Sequence, residues 1–377
     1  MNKKEINVGL IGTRFMGRAH SNAWGSVATH FDIDFRPVMK VSCGRNKDEH
    51  HMNFAAQYGW EEISDNWKEV IERDDIDIID ICTSNKTHFP IAMAAIDAGK
   101  HVICEKPLAM TADEAKKMAD AAKKNGVVHM TAFNYRQVPA IIYAKLMIDA
   151  GKIGEIRHFD AVYYQDWLID PEFPFVWRND IAVAGSGAHG DMNAHLVDLA
   201  RYLVGEVTSV NGIQNIFVHE RSSADGSGNK KVTADDATSF LCTFNNGAMG
   251  SFITSRFATG RKNYLKFELF GSKGSLKFEL ERLNELQYYS TTDEQGDQGF
   301  RTIIMTENVH PFIDAWWPPG HIIGWEHTFI HEVKQFLDAI AHKKELHPDF
   351  FDGWKTQQVM DAVVTAANEK KWVSILH

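Results

Sequence analysis

The chain has 377 residues, 44% of them hydrophobic and 24% charged, with a formal net charge of -10. That profile belongs to a globular protein too long for one typical core, and its acidic balance without a long basic run excludes a nucleic-acid surface and leaves small molecules as partners. Four cysteines without paired spacing, no apolar run near the roughly 20 residues of a membrane span and no signal peptide after Met1 predict a reduced, cytoplasmic protein with no membrane partner.

Strand and helix patterns alternate through the first third. "INVGLI" is a short apolar strand, and a helix follows from Gly17. "PVMKVSC" is a second strand, "KDEHHMNFAAQYG" a helix ended by Gly59, and "IDIIDICT" a third strand. "HFPIAMAAIDAG", "KHVICE", "TADEAKKMADAAKKNG" and "VVHMTAF" continue the series, with Thr111 as cap and Glu114 three residues on completing a helix-start signature. Such alternation predicts right-handed βαβ units and a doubly wound parallel sheet, whose ligands bind at the carboxyl ends of the strands. Residues 12–17, 43–46, 83–88, 105–107 and 132–136 occupy those ends.

The first of these stretches holds Gly12 and Gly17 but has Arg14 where a dinucleotide fingerprint has its middle glycine. Arg14 either turns outward or lays its guanidinium on the phosphates. The spacing alone fits a plain turn as well as a cofactor loop, and its place between a first strand and a first helix favours the loop. After the second strand, Gly44 and Arg45 stand where a carboxylate would select NAD, which leaves room for the 2′-phosphate of NADP.

Beyond about residue 136 one helix precedes consecutive strands from "IRHFDAVYY" to "ELQYYS", separated by turns such as "NNG" and "GSKG". Two helices follow, near 326–342 and 354–370. An α/β chain is therefore expected: a dinucleotide-binding domain over 1–132, and an α+β domain with a large, mostly antiparallel sheet over 133–377. Eighteen histidines, ten tryptophans and 23 phenylalanines suit sugar binding, cores and oligomer interfaces equally.

The stretches "GLIGTRFMGRAH", "DICTSNKTHFPIAMAAIDAGKHVICEKPLA", "AFNYR" and "GSGAHGDMNAHLVDLARYLVGE" resemble the Gfo/Idh/MocA oxidoreductases across essentially the whole chain. Within that family "YYQDW", the segment 260–287 and "GFRT" are similar to the levoglucosan dehydrogenase and glycoside 3-dehydrogenase branch. The resemblance implies a Rossmann domain and hydride transfer between a sugar or glycoside hydroxyl, with C3 of a glucopyranose the expected position, and a nicotinamide cofactor. It also implies a homo-oligomer, dimer or tetramer, formed through the second sheet. It favours NAD over NADP.

Asp191 and His195 lie four apart, on one face if the segment is helical. An imidazole near neutral pKa suits the base that takes a hydroxyl proton, and an ammonium suits stabilisation of developing oxyanion charge. Spacing alone makes Asp191 and His195 an ordinary surface or capping pair and Lys106 a solvated turn. The resemblance makes Lys106, Asp191 and His195 the catalytic set. It implies cofactor contacts from Gly12, Arg14, Phe15, Met16, Gly44, Arg45, Thr83, Asn85, His88, Glu105, Lys106 and Asn134. For the sugar, Tyr135, Arg136, Gln165, Asp166, Trp177, Arg178 and Asn193 are the candidates. His189 with Asp191 and His195 offers a metal-ligand set, but the family pattern explains the pair without one, so no metal is expected. An NAD-dependent glycosidase and a non-catalytic dinucleotide sensor are the competing functions.

Overall fold

The computed structural model describes residues 3–375, which cluster into two compact units. Of these, residues 3–137 and 323–355 form the first, and residues 138–322 and 356–375 the second.

In the first unit β1 (Lys4–Ile11), α1 (Phe15–His30), β2 (Phe35–Cys43), α2 (Glu49–Tyr58), β3 (Glu62–Ser64), α3 (Trp67–Glu72) and β4 (Ile78–Ile81) form the first half of a doubly wound sheet. Then α4 (His88–Asp97), β5 (His101–Glu105), α5 (Ala112–Asn125) and β6 (His129–Ala132) form the second. The strand order is β3-β2-β1-β4-β5-β6 and every pairing is parallel. Chain order reverses between β1 and β4, so Gly12 and Thr83 sit at the switch point where such sheets bind nucleotides. The strands read as continuous apolar runs because helices cover both faces: Val8, Leu10, Ile78, Ile79, Ile81, Val102 and Cys104 have no exposed surface. Helix ends follow local chemistry. Thr111 accepts from the Glu114 N–H to open α5, and Gly126, at φ 68°, closes it in a conformation that suits glycine.

The helix α9 (Glu326–His342) and the start of α10 (Phe350–Glu369) belong to this unit, not to the second domain the sequence suggested for everything after 132. Phe329 packs on the His20 ring and His331 on Phe31, so α9 lies along α1. Phe350 enters the core beside Val102 and Cys104, and its N–H donates to His129 Nδ1 at 3.0 Å. Thr131 donates through its hydroxyl to the Asp349 carbonyl. No local pattern in residues 323–355 announces a return to a sheet finished two hundred residues earlier.

The second unit contains α6 (Pro139–Asp149), β7 (Ile156–Tyr164), α7 (Ile181–Ala184), α8 (Ala194–Leu203), β8 (Val207–Asn215) and a ribbon of β9 (Glu220–Ser222) with β10 (Asn229–Lys231). There follow β11 (Ala237–Phe244), β12 (Met249–Ser255), β13 (Tyr264–Gly271), β14 (Gly274–Glu279), β15 (Glu285–Ser290), β16 (Arg301–Ile304) and β17 (Val373–Ser374). The nine-stranded sheet runs β16-β15-β14-β13-β7-β12-β11-β8-β17. Only the β7–β12 pair is parallel among these strands, so the sheet is mostly antiparallel, as expected. Strict alternation buries one face, where Phe240 and Phe252 stack at 4.5 Å and Phe267 bridges Phe159 and Phe278. Five of the 23 phenylalanines form this ladder. The opposite face carries exposed Ile213, Leu241, Met249 and Ile253.

Candidate active site

The loop after β1 is a glycine turn in fact. Gly12 has φ 113°, and a Cβ there would lie 2.4 Å from the Cys82 carbonyl oxygen; a Cβ on Gly17 would lie 2.0 Å from the Gly12 oxygen. Both positions need glycine, one for backbone conformation and both for close approach. Arg14 does not: it is extended, at φ -89°, and exposed. Its side chain is exposed to solvent. The amino end of α1 has no side-chain cap and no acidic residue in its first turn, so its amides face outward unneutralised, as an anion site requires. Phe15 is exposed and stacks on Trp325 at 5.5 Å. Met16 lies half-buried in the same turn.

At the end of β2, Gly44 has no room for a side chain, since a Cβ would approach His51 Nδ1 to 2.9 Å. The His51 ring bridges Ser42 and the Asn46 carbonyl behind it, and Arg45 is exposed. Thr83, Asn85 and Lys106 are half-buried at the ends of β4 and β5.

Four of the residues expected to contact ligand also hydrogen-bond within this unit. His88 is completely buried, with Nδ1 3.0 Å from the Pro107 carbonyl and Nε2 3.2 Å from that of Thr83. Burial holds its pKa below the ordinary range, so the ring is neutral and ties two strand ends together. Glu105 is buried, its Oε1 3.0 Å from His20 Nε2 and its Oε2 accepting from the Lys106 N–H at 3.1 Å. Asn134 donates to the Thr328 hydroxyl at 2.9 Å, and Arg136 pairs with Asp352 at 3.2 Å, both buried. Tyr135 is buried in the same turn. The partners of Asn134 and Arg136 come from residues 323–355, which local reading did not bring back here.

In the second unit the "HGDMN" segment, His189–Asn193, forms a π-helical turn that runs directly into α8. Such turns are rare and concentrate at functional sites. Asp235 fixes it: its carboxylate accepts from the Gly187 and His189 N–H groups, both at 2.7 Å, and from Thr238. Gly187 is obligatory because a Cβ would lie 1.8 Å from the Asp235 oxygen. The His189 ring is neutral and buried, accepting from Asn193 Nδ2 and facing the Met360 carbonyl, so both its nitrogens are engaged and it is not presented with Asp191 and His195 as a ligand set. Asn193 is itself fully buried, and its Oδ1 has no hydrogen-bond partner among the described residues.

Asp191 remains partly exposed. Arg256 Nη2 donates to its Oδ2 at 2.9 Å, and Arg178 Nε lies 3.9 Å away. Each guanidinium lies on an indole, Arg256 on Trp167 at 5.3 Å and Arg178 on Trp177 at 4.4 Å. Arg256 is 1% exposed, and sequence reading missed it; the isolated cation ending the apolar strand "GSFITSR" was the available signal. His195 is buried in the first turn of α8, its ring 6.1 Å from that of Tyr163. Tyr163 OH and Gln165 Nε2 both donate to Asn263 Oδ1, another residue sequence reading missed, while Gln165 Oε1 accepts from Trp167. Asp166 is committed to Lys262 at 2.7 Å, an ion pair that lowers its pKa, and to the Gly260 N–H. It holds a loop. Gln165, Trp177 and Arg178 keep the partial exposure a ligand contact needs.

A glycine turn feeding an uncapped helix at the switch point of a parallel sheet defines a dinucleotide-binding unit. The chain belongs to the Gfo/Idh/MocA family: residues 6–133 match the oxidoreductase family, NAD-binding Rossmann fold, and residues 141–277 match the GFO/IDH/MocA C-terminal domain. It is 42% identical to levoglucosan dehydrogenase of Pseudarthrobacter phenanthrenivorans over 99% of this chain and 98% of that protein. A solved structure of levoglucosan dehydrogenase with NADH and levoglucosan superposes with TM-score 0.95 at 42% identity, covering 99% and 100% of the two chains. An oxidoreductase domain protein from Kribbella flavida superposes at 0.96 with 45% identity and full coverage of both. The cofactor is NAD, and the loop fits it: the two glycines and the open α1 amides make a diphosphate cradle.

Proposed function

We propose that this chain is an NAD-dependent dehydrogenase of pyranose sugars, acting on a secondary ring hydroxyl of levoglucosan or a related glucoside, with C3 the position oxidised. The observation that carries it is the likeness, across nearly the whole length of both chains, to an enzyme named for that substrate. NAD, when bound, supplies the hydride acceptor. Gly12, Met16 and the first-turn amides of α1 hold the diphosphate, and Gly44, Arg45, Thr83 and Asn85 contact the nucleoside portions. His195 takes the hydroxyl proton, a task for which imidazole suits neutral pH. Asp191, fixed between Arg178 and Arg256, accepts a hydrogen bond from the sugar or from the imidazole and favours the imidazolium formed. The Lys106 ammonium donates to the reacting oxygen as negative charge builds. Trp177 and Gln165 supply the apolar face and hydrogen bonds a pyranose ring needs. The exposed apolar face of β8, β11 and β12 is the surface on which copies of the chain associate, and the four buried, unbridged cysteines suit a cytoplasmic setting.

The test is a panel of glucosides and anhydrosugars with NAD or NADP, following reduced nicotinamide. Oxidation of a glucopyranose-type substrate with NAD, lost in His195→Ala while NADH still binds, is the expected result. Cleavage of a glycoside without net NADH formation, or an unimpaired His195→Ala enzyme, overturns the reading.

A further inference from the structure

One buried charge cluster in the first unit has no part in the chemistry above. His20 projects from α1 with Nδ1 2.9 and 3.0 Å from the two Asp80 oxygens and Nε2 3.0 Å from Glu105 Oε1. Asp80 also accepts from Trp24 Nε1 at 2.7 Å and lies 3.6 Å from the Cys82 thiol. The ring face packs on Phe329 of α9. His20, Asp80 and Glu105 are each less than 5% exposed.

We propose that His20 is a positioning residue: an imidazolium that bridges Asp80 and Glu105 and thereby fixes the main chain at Lys106. A neutral imidazole has one N–H, and here both ring nitrogens face carboxylates, so only the doubly protonated ring donates on both sides. A lone pair aimed at a buried carboxylate would repel it in a low-dielectric setting where nothing screens the charge. Burial alone works against the cation. The Asp80 charge and the contacts with Asp80 and Cys82 outweigh it and hold the His20 pKa well above its ordinary range. The second carboxylate carries the effect to the site. Glu105 ends β5 and its Oε2 accepts from the N–H of Lys106, so the chain of contacts runs Asp80, His20, Glu105, Lys106 backbone. Loss of the bridge frees the Glu105 carboxylate to turn, and the ammonium on the next residue loses its aim.

This inference rests on the assignment of Lys106 as donor to the reacting oxygen, and the test separates the two. In wild-type enzyme with NADH bound, one histidine resonance should keep imidazolium shifts from pH 6 through pH 8, roughly one and a half units past where a free imidazole titrates. In Asp80→Asn that resonance should return to ordinary titration. In His20→Gln, kcat should fall roughly 10- to 100-fold, as for an ångström-scale misplacement of a catalytic group, with NADH affinity and sugar KM changed less than about threefold. His20→Lys, which restores a cation but meets only one carboxylate, should recover part of the loss. Trp24→Phe removes a donor to Asp80 without touching the bridge, and should lower stability while leaving kcat near wild type. A bridging resonance that titrates near neutrality in wild type overturns the proposal, whether or not the variants fold. So does a folded His20→Gln enzyme with wild-type kcat when Lys106→Ala is inactive. An active Lys106→Ala enzyme instead overturns the functional assignment of Lys106 and leaves the resonance test of His20 standing on its own.

Discussion

Replacing Gly17 by alanine puts a Cβ 2.0 Å from the Gly12 carbonyl oxygen and 2.9 Å from its carbon. Carbon–oxygen contacts in proteins settle at about 3.3 Å or more, so the amino end of α1 must retreat by roughly 1.3 Å. Overpacking of this kind costs about 1–3 kcal/mol. The better helix propensity of alanine offsets about 1 kcal/mol, leaving a net loss of up to about 2 kcal/mol. The displacement carries the first-turn amides away from the diphosphate. One charge-assisted hydrogen bond is worth about 1.5–3 kcal/mol, so NADH affinity should fall roughly ten- to a hundredfold. Arg14→Gly is the matched control, because Arg14 is exposed and already extended; its NADH affinity should stay within about threefold of wild type, the backbone amides rather than the guanidinium making the cradle. Fluorescence titration of NADH with thermal unfolding of both variants measures this. Wild-type affinity and stability in Gly17→Ala would refute the reasoning, and a tenfold loss in Arg14→Gly would show the guanidinium on the phosphates after all.

Arg256→Met removes the buried donor to Asp191 while keeping an apolar stem against Trp167. Because Asp191 is itself partly exposed, the stability loss should be about 2 kcal/mol, below the range for a fully buried pair, and kcat should drop at least about tenfold with NADH binding intact; steady-state kinetics beside urea unfolding decides. Acid should weaken the first unit early. Burial depresses His129 to about 4 and His331 to about 3, and His129 Nδ1 accepts from the Phe350 N–H, which a proton there would eliminate. Above the unfolded pKa of about 6.5 both states are neutral; below it the unfolded chain takes protons the folded chain refuses, so stability falls with pH down to those depressed values. From pH 7 to pH 5 each histidine should cost about 2 kcal/mol, and urea unfolding of His129→Gln should show a correspondingly shallower pH dependence.

The parallel sheet was legible because β-branched runs, glycine stops and the Thr111–Glu114 signature all report local geometry. The antiparallel sheet was legible for the same reason, through alternation in stretches such as "YLKFELFG". What escaped was short or non-local. β3 and α3 hold too few residues for a period to emerge. The π turn at His189 is imposed by Asp235, forty-odd positions downstream, and no spacing rule sees that. Motifs picked out His195, Asp191 and Lys106 as candidates, but they gave no sign of which candidates are buried and hydrogen-bonded within the frame. His88, Asn193 and Arg136 carry the expected chemistry and are buried, which no motif announces. The histidine count has a similar explanation: His101, His129, His310 and His327 each accept a backbone N–H on Nδ1 and each is held neutral by burial.

The return of residues 323–355 to the first unit bears on how the protein is made. A ribosome that has released residue 133 has delivered every strand of the parallel sheet but not Phe350, the Asp352 partner of Arg136 or the helix that lies along α1. The nascent nucleotide-binding unit must therefore wait, open on that flank, until some 220 further residues have been synthesised. A fragment cut at the domain boundary drawn from sequence would inherit the same exposed flank permanently.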